Sequence, residues 1–263
     1  MNLTKPQNPL EATTPLEKLR GLEYWVPRIL KGTAGELLIP PLPGWNVQVV
    51  PIRDLPSRPG LSYVEGQARL LHDLANIELQ AMELAFRTMV EFREKHPIFL
   101  QELAQITLDE GRHFRMCIEG LVEIGFPWGS WPVHLSLWNS VRAADSILDR
   151  ILMVHRYQEG GGLDAGERIL QKISGVQARL LRAILEPIFK EELGHVQFGS
   201  RWYRHFCSLE NLDAETDFHE RLHRLIARMP VRKERLSRNL RMQAGFSEGE
   251  LEVLEAIQQK SSL

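Results

Sequence analysis

An all-α fold organised round one four-helix bundle is predicted by three features of the sequence. Apolar residues recur at intervals of three and four through four long segments, the period of a helix that buries one stripe. Ten of the 15 prolines precede residue 60, so the helical part follows an extended stretch. The motif Glu-x-x-His occurs twice, as Glu110/His113 and Glu192/His195, each behind a helical glutamate, Glu78 by 32 residues and Glu159 by 33. Two helical hairpins in tandem would produce that duplicated spacing.

Proline removes a backbone donor and fixes φ, so residues 1–61 read as an arm wrapping the bundle, with short ordered pieces at Pro15 to Leu30 and Asn46 to Val50. From about Ser62 to Lys95 the seam Leu71, Leu74, Glu78, Ala81, Ala85 keeps the 3,4 alternation of a buried stripe. Pro97 suits a first helical turn, and the helix it opens runs to about Ile124, before Gly125 and Pro127. Its seam is Leu103, Ile106, Glu110, His113, Cys117. FPWGSWPVHLSLW is the long connection that recrosses the bundle and a candidate for part of a substrate mouth.

A third helix, about Ala143 to Glu159, aligns Leu148, Leu152, His155 and Glu159, and Gly160, Gly161 and Gly162 are expected to end or bend it there. That puts Glu159 in a C-terminal turn. The fourth, about Gln177 to Phe206, aligns Leu181, Leu185, Ile188, Glu192, His195, Gly199 and Trp202, with a kink expected at Pro187. The bundle thus occupies residues 62–207 and a C-terminal helical extension residues 208–263. The extension holds a short amphipathic helix, an arginine-rich stretch, and a last helix near Ser247 whose SEGE reads as a capping box.

With 263 residues, 43% hydrophobic and 25% charged, the chain can bury a sizeable core. A net charge of -2 gives no global attraction to nucleic acid or anionic membrane. The opening residues lack a basic and then apolar leader, and no apolar run reaches about 18 residues; a cytoplasmic location without membrane contact is the expectation. Cys117 and Cys207 read as reduced core residues.

Residues three apart on a helix lie about 60° apart in projection, so each Glu-x-x-His presents both groups on one face. Either motif alone reads more readily as a surface glutamate beside an incidental core histidine. Their positions argue otherwise. Glu78, Glu110, His113, Glu159, Glu192 and His195 all fall on stripes that the neighbouring apolar residues assign to the interior, where an unpaired carboxylate costs several kcal/mol. Four carboxylates carry a charge that two divalent cations cancel, with the histidines as neutral nitrogen ligands. Carboxylate and imidazole ligation without thiolate suits iron or manganese better than structural zinc. Glu110 and Glu192 are the candidate bridging ligands, with Glu78 and Glu159 terminal.

Asp109 and Glu191 directly precede the motif glutamates and are candidates to orient the histidines of the opposite half; in a competing assignment they are themselves ligands. Arg112 is a candidate anchor for these carboxylates, and His155 a third imidazole, a proton relay or a hydrogen-bonded core histidine. Glu83 lies about 140° round the helix from Glu78 and reads as a surface or arm-contacting group. His72 and Tyr157 read as packing residues with a weaker functional alternative. Arg221, Arg224, Arg228, Arg232, Lys233, Arg235, Arg238 and Arg241 recur at mostly three- or four-residue intervals, either lining one helical side for nucleic acid or paired with nearby acids.

Read together, ANIELQAMELA, LDEGRHF, YQEGGGLD and EELGHVQFGSRWY resemble the bacterial ferritin-like family catalogued as domain-of-unknown-function family 455. The resemblance spans roughly Ser62 to Tyr203. It implies a ferritin-like four-helix bundle with a di-metal carboxylate centre, and the six named glutamates and histidines match its metal positions. Asn76 stands where the pattern implies a histidine, and GGGLD replaces a less glycine-rich turn. The wider superfamily contains ferroxidases, radical-generating subunits, peroxide scavengers and oxygen-activating hydroxylases, including one acting on a modified tRNA base, and fold does not choose among them.

The expectation is an oxygen-dependent oxidoreductase holding two iron ions, or Mn/Fe or two Mn. It would be a hydroxylase or oxygenase acting with O2 on a small molecule or modified base, with a separate electron donor. The alternatives are iron oxidation, peroxide handling or a metal-stabilised scaffold.

Overall fold

The computed structural model describes residues 5–173, 177–230 and 235–260. Among them the secondary structure is helical: no strand forms, and Val49 and Val133 make an isolated parallel bridge. None of the described helices is long and apolar enough to cross a membrane. The chain divides into two compact units, Met1–Leu135 and Ser136–Leu263.

The first unit holds α1 (Pro15–Leu30), α2 (Val64–Glu91) and α3 (Pro97–Glu123). Thr14 caps α1: its hydroxyl accepts from the Glu17 N–H while Glu17 reaches back to the Thr14 N–H, and Pro15 fills the first turn. Pro97 opens α3 in the same way, and Gly125 closes it at φ +88°, a conformation that glycine adopts without a Cβ penalty. α2 and α3 pack along their length as a hairpin, and α1 lies chiefly on α3. Gly111 permits that approach, since a Cβ there would stand 2.9 Å from Leu22 Cδ1. The N-terminal segment is knitted to α1, with the Trp25 indole donating to the carbonyls of Pro6 and Gln7.

In the second unit a capping box of Ser146 and Asp149 starts α4 (Ile147–Ile151), later than the Ala143 start expected from periodicity. The helix continues as a π-helical turn (Leu152–Gln158) and then as α5 (Glu159–Ile173). α6 (Arg179–Leu209) packs on both, with Pro187 inside it. α7 (Ala214–Leu225), α8 (Arg238–Gln243) and α9 (Glu248–Lys260) follow. Ser247 and Glu250 form the expected capping box, Ser247 N–H to Glu250 Oε2 at 2.9 Å and Glu250 N–H to Ser247 Oγ at 3.1 Å.

The expectation that Gly160 to Gly162 end the third helix is overturned. Glu159 begins α5 instead of closing a helix. Gly160 serves close approach instead, since a Cβ there would lie 2.7 Å from Arg241 Nη1, and so does Gly166 further along, where a Cβ would lie 2.7 Å from the Phe189 ring.

The arginines of the extension do not line one helix. Arg221 pairs with Asp149 and Asp217, each at 2.7 Å, and Arg224 with Asp149 at 2.6 Å. Arg228 pairs with Asp145 at 2.8 Å, Arg238 with Glu248 and Glu255, and Arg241 with Asp164 at 2.6 Å. Arg235 precedes α8, and its carbonyl accepts from Arg168. Arg232 and Lys233 lie outside the described residues.

Candidate metal centre

In the first unit α2 contributes Glu78, and α3 contributes Glu110 and His113. One ligand atom from each lies within 4.8 Å of the others, and all three are buried. His113 Nδ1 stands 3.5 Å from Glu78 Oε2 and 3.7 Å from Glu110 Oε2. The geometry follows from the seams: the stripes that pack α2 on α3 are the stripes on which these residues fall. Two ionised carboxylates with oxygens within 4.8 Å of each other repel by roughly 3 kcal/mol or more at an effective dielectric of about 20, which a cation between them would reverse. Cys117 lies one turn beyond His113; burial, and then the Glu78 carboxylate, push its thiol well above the ordinary value.

In the second unit the four residues come from the π turn, α5 and α6. His155 Nδ1 stands 2.9 Å from Glu159 Oε1, and His195 Nδ1 stands 3.7 Å from Glu192 Oε1. All four side chains are buried. Gly199 lets α6 approach the π turn, since a Cβ there would meet the His155 carbonyl oxygen at 2.8 Å. Where His155 is a neutral imidazole donating through Nδ1 to an ionised Glu159, Nε2 keeps its lone pair. His155 Nε2 and Glu159 Oε2 are buried without a hydrogen-bond partner among the described residues. Buried acceptors in that condition suit a cation.

The first unit thus brings Glu78, Glu110 and His113 together from two helices, whereas in the second His155 with Glu159 and Glu192 with His195 are each neighbours along one helix. Carboxylate oxygens with imidazole nitrogens, and no thiolate among the clustered donors, fit iron or manganese. Asp109 is half-buried and accepts from Gln105 at 3.1 Å and from the exposed Arg112 at 3.0 Å. Glu191 is half-buried on α6.

Three further residues are placed differently from one another. His72 is buried, stacks on Trp128, accepts from the Gly129 N–H at 3.2 Å, and is held to about 4 by burial and then by Arg69, which makes it a neutral packing group. Tyr157 donates to the Pro230 carbonyl at 3.2 Å. Glu83 is fully buried and faces the N-terminal segment, accepting from Lys18 Nζ and from the Trp45 indole; it is an arm-contacting group and not a surface one.

A cavity of about 320 Å³ in the first unit is lined by Ile29, Gly32, Leu37, Val90, Arg93 and Glu94 among others, none of them a candidate ligand.

Residues 12–252 match the family described as "Protein of unknown function (DUF455)". A Haemophilus influenzae protein described as uncharacterized is 31% identical over 215 residues, covering 79% of this chain and 74% of that protein. No solved structure matches.

Proposed function

Since the chain belongs to the DUF455 family, whose description carries no activity, we propose from its residues that it is a ferritin-like protein whose two half-sites together hold two metal ions. The observation that carries this reading is the buried group Glu78, Glu110 and His113, with ligand atoms within 4.8 Å. The duplicated spacing supports it: the second unit offers Glu159, Glu192 and His195 in the same order. In this reading Glu110 and Glu192 would be the carboxylates shared between the ions, Glu78 and Glu159 would each serve one ion, and His113 and His195 would supply neutral nitrogen. Four carboxylates then balance two divalent ions.

Iron or manganese held there would supply oxygen binding and electron transfer, so the proposed class is an oxygen-dependent oxidoreductase. The chain's own work is to fix donor atoms and limit water. Burial of Glu110 and His113 keeps the donors from solvent, and Arg112 fixes Asp109 beside Glu110. The hydrogen bond from His155 orients Glu159 and leaves its second oxygen for coordination.

A second reading is iron oxidation or peroxide handling, which needs no organic substrate. A hydroxylase or oxygenase needs a pocket at its metals. Delivery of a modified base by the arginine stretch has less support, because the described arginines named above, Arg235 apart, are each paired with a carboxylate.

Metal analysis of the purified protein, with optical spectra before and after reduction and oxygen exposure, tests the proposal. Two equivalents in the native protein, lost in Glu110→Ala and Glu192→Ala, are expected. Full metal content in both variants would remove these residues from the site.

A further inference from the structure

We propose that α8 and α9 belong to the metal site, with Arg241 and Glu250 as positioning residues that hold the π turn and thereby Glu159; this rests on the two-metal reading. Arg156, in the π turn, is 1% exposed and donates through both terminal nitrogens to the two oxygens of Glu250 on α9, each at 2.7 Å. Its guanidinium is faced by Phe246 at 4.4 Å, Phe218 at 4.7 Å and Tyr203 at 5.1 Å. Arg241, on α8, is wholly buried and donates to Asp164 of α5 through Nε at 3.1 Å and Nη2 at 2.6 Å.

These two ion pairs bracket Glu159. Arg156 lies one turn before it and Asp164 just over one turn after. Between them, the Arg241 guanidinium lies on the backbone of Gly160, where a Cβ would be 2.7 Å from Nη1 and 3.0 Å from Cζ. Nη1 has no hydrogen-bond partner among the described residues and is buried, so the contact with Gly160 is kept at a cost.

Buried ion pairs are poor devices for stability, because desolvation offsets most of their attraction; a registry role is their best-attested use. Here the register is that of the turn carrying His155 and Glu159. A π turn is a departure from α geometry that occurs mostly at functional sites, and this one is fixed from outside by two charges on the C-terminal extension. The hydrogen bond from His155 to Glu159 is the end of that chain of contacts.

Titration of cobalt(II) into the metal-free full-length protein tests the assignment, reading both the equivalents bound and the visible spectrum. Wild type should take two. Gly160→Ala, whose methyl would strike a guanidinium pinned by Asp164, should bind one equivalent as wild type does and the other about 10- to 100-fold more weakly, with an altered spectrum. Glu250→Gln keeps the side-chain shape and should act in the same sense more mildly, which covers the case of a Gly160→Ala protein that does not fold.

Two equivalents with wild-type affinity and spectrum in these variants would overturn the inference and leave the two-metal reading standing. Equal weakening of both equivalents in step with a lowered melting temperature would also overturn it, since that marks a merely structural role. A wild-type protein that binds no cobalt would overturn the two-metal reading, and the inference with it.

Discussion

Lys18 Nζ and Glu83 Oε1 meet at 2.5 Å, with neither side chain reaching solvent. Lys18 also donates to the Pro9 carbonyl, and the Trp45 indole donates to Glu83. One buried ion pair thus ties α2 to α1 and to the segments on either side of α1. Burial raises the Glu83 carboxyl to about 6, opposed by Lys18 and Trp45, and burial likewise lowers Lys18. For both groups desolvation outweighs attraction.

Breaking this pair should therefore differ sharply from replacing it. Lys18→Met alone leaves a buried acid without its cation and is expected to cost about 3 to 5 kcal/mol in urea unfolding. Lys18→Met with Glu83→Gln keeps an acceptor for Trp45 and removes both charges, and should lie within about 1 kcal/mol of wild type. Equal losses in the two proteins would show that the charges themselves stabilise the arm.

The same pair sets a pH dependence. An acid whose folded pKa is raised contributes stability below its unfolded value of 4.5, and that contribution is lost as pH rises through about 6. Against the Lys18→Met/Glu83→Gln protein, wild type should lose roughly 1.5 kcal/mol between pH 4.5 and 7. Paired denaturant curves at pH 4.5 and 7 measure it, and a difference of the opposite sign would contradict the burial argument.

Crowding of Glu78 and Glu110 has a consequence for the metal-free protein. Glu110→Gln should be more stable than wild type after chelation, by up to roughly 3 kcal/mol, yet gain less on adding Mn²⁺ or Fe²⁺. Ligands that bind only the folded state stabilise by mass action, about 2.7 kcal/mol at a hundredfold excess over Kd. Thermal melts with and without metal separate the two effects; identical metal responses in both proteins would place Glu110 outside the site.

Gly199→Ala tests the packing of α6 on the π turn. The new methyl would meet backbone atoms of His155 at 2.8 and 2.9 Å, which cannot swing aside as a side-chain tip does. A loss of about 1 to 3 kcal/mol is expected, and a wild-type unfolding midpoint would show that the helix shifts at little cost.

Cys117 and Cys207 are both buried and their thiols are raised, the second to about 12. Native protein at pH 8 should react with thiol reagents no faster than it opens. Rapid labelling of either without denaturant would show local opening of α3 or α6.

Much of this was legible locally. Pro97 with Gly125 gave the limits of α3, because caps and breakers are short-range signals, whereas Pro15 to Leu30, read only as a short ordered piece of an extended arm, is a 16-residue helix. The stripes carried Glu78, Glu110 and His113 to one place. Glu83 was read off-stripe because its cation stands 65 residues away on α1, where no helical periodicity reports it. The three glycines were read as a helix end, their commonest use, because the guanidinium that needs Gly160 comes from residue 241. The described arginines spaced like one helical face proved to be spread over α7, the turn at Arg228, the approach to α8 and α8 itself, all but Arg235 pairing with a carboxylate.

The π turn also limits the length of the chain. Its wider ring accommodates one residue more than an α-helical path between Leu152 and Gln158 would need. Deleting one of these residues would therefore let the backbone close into α geometry while the helix beyond kept its phase, with Asp164 still facing Arg241. A further insertion has no such slack and would rotate everything beyond by about 100° relative to what precedes. The segment should therefore tolerate the loss of a residue better than the gain of one.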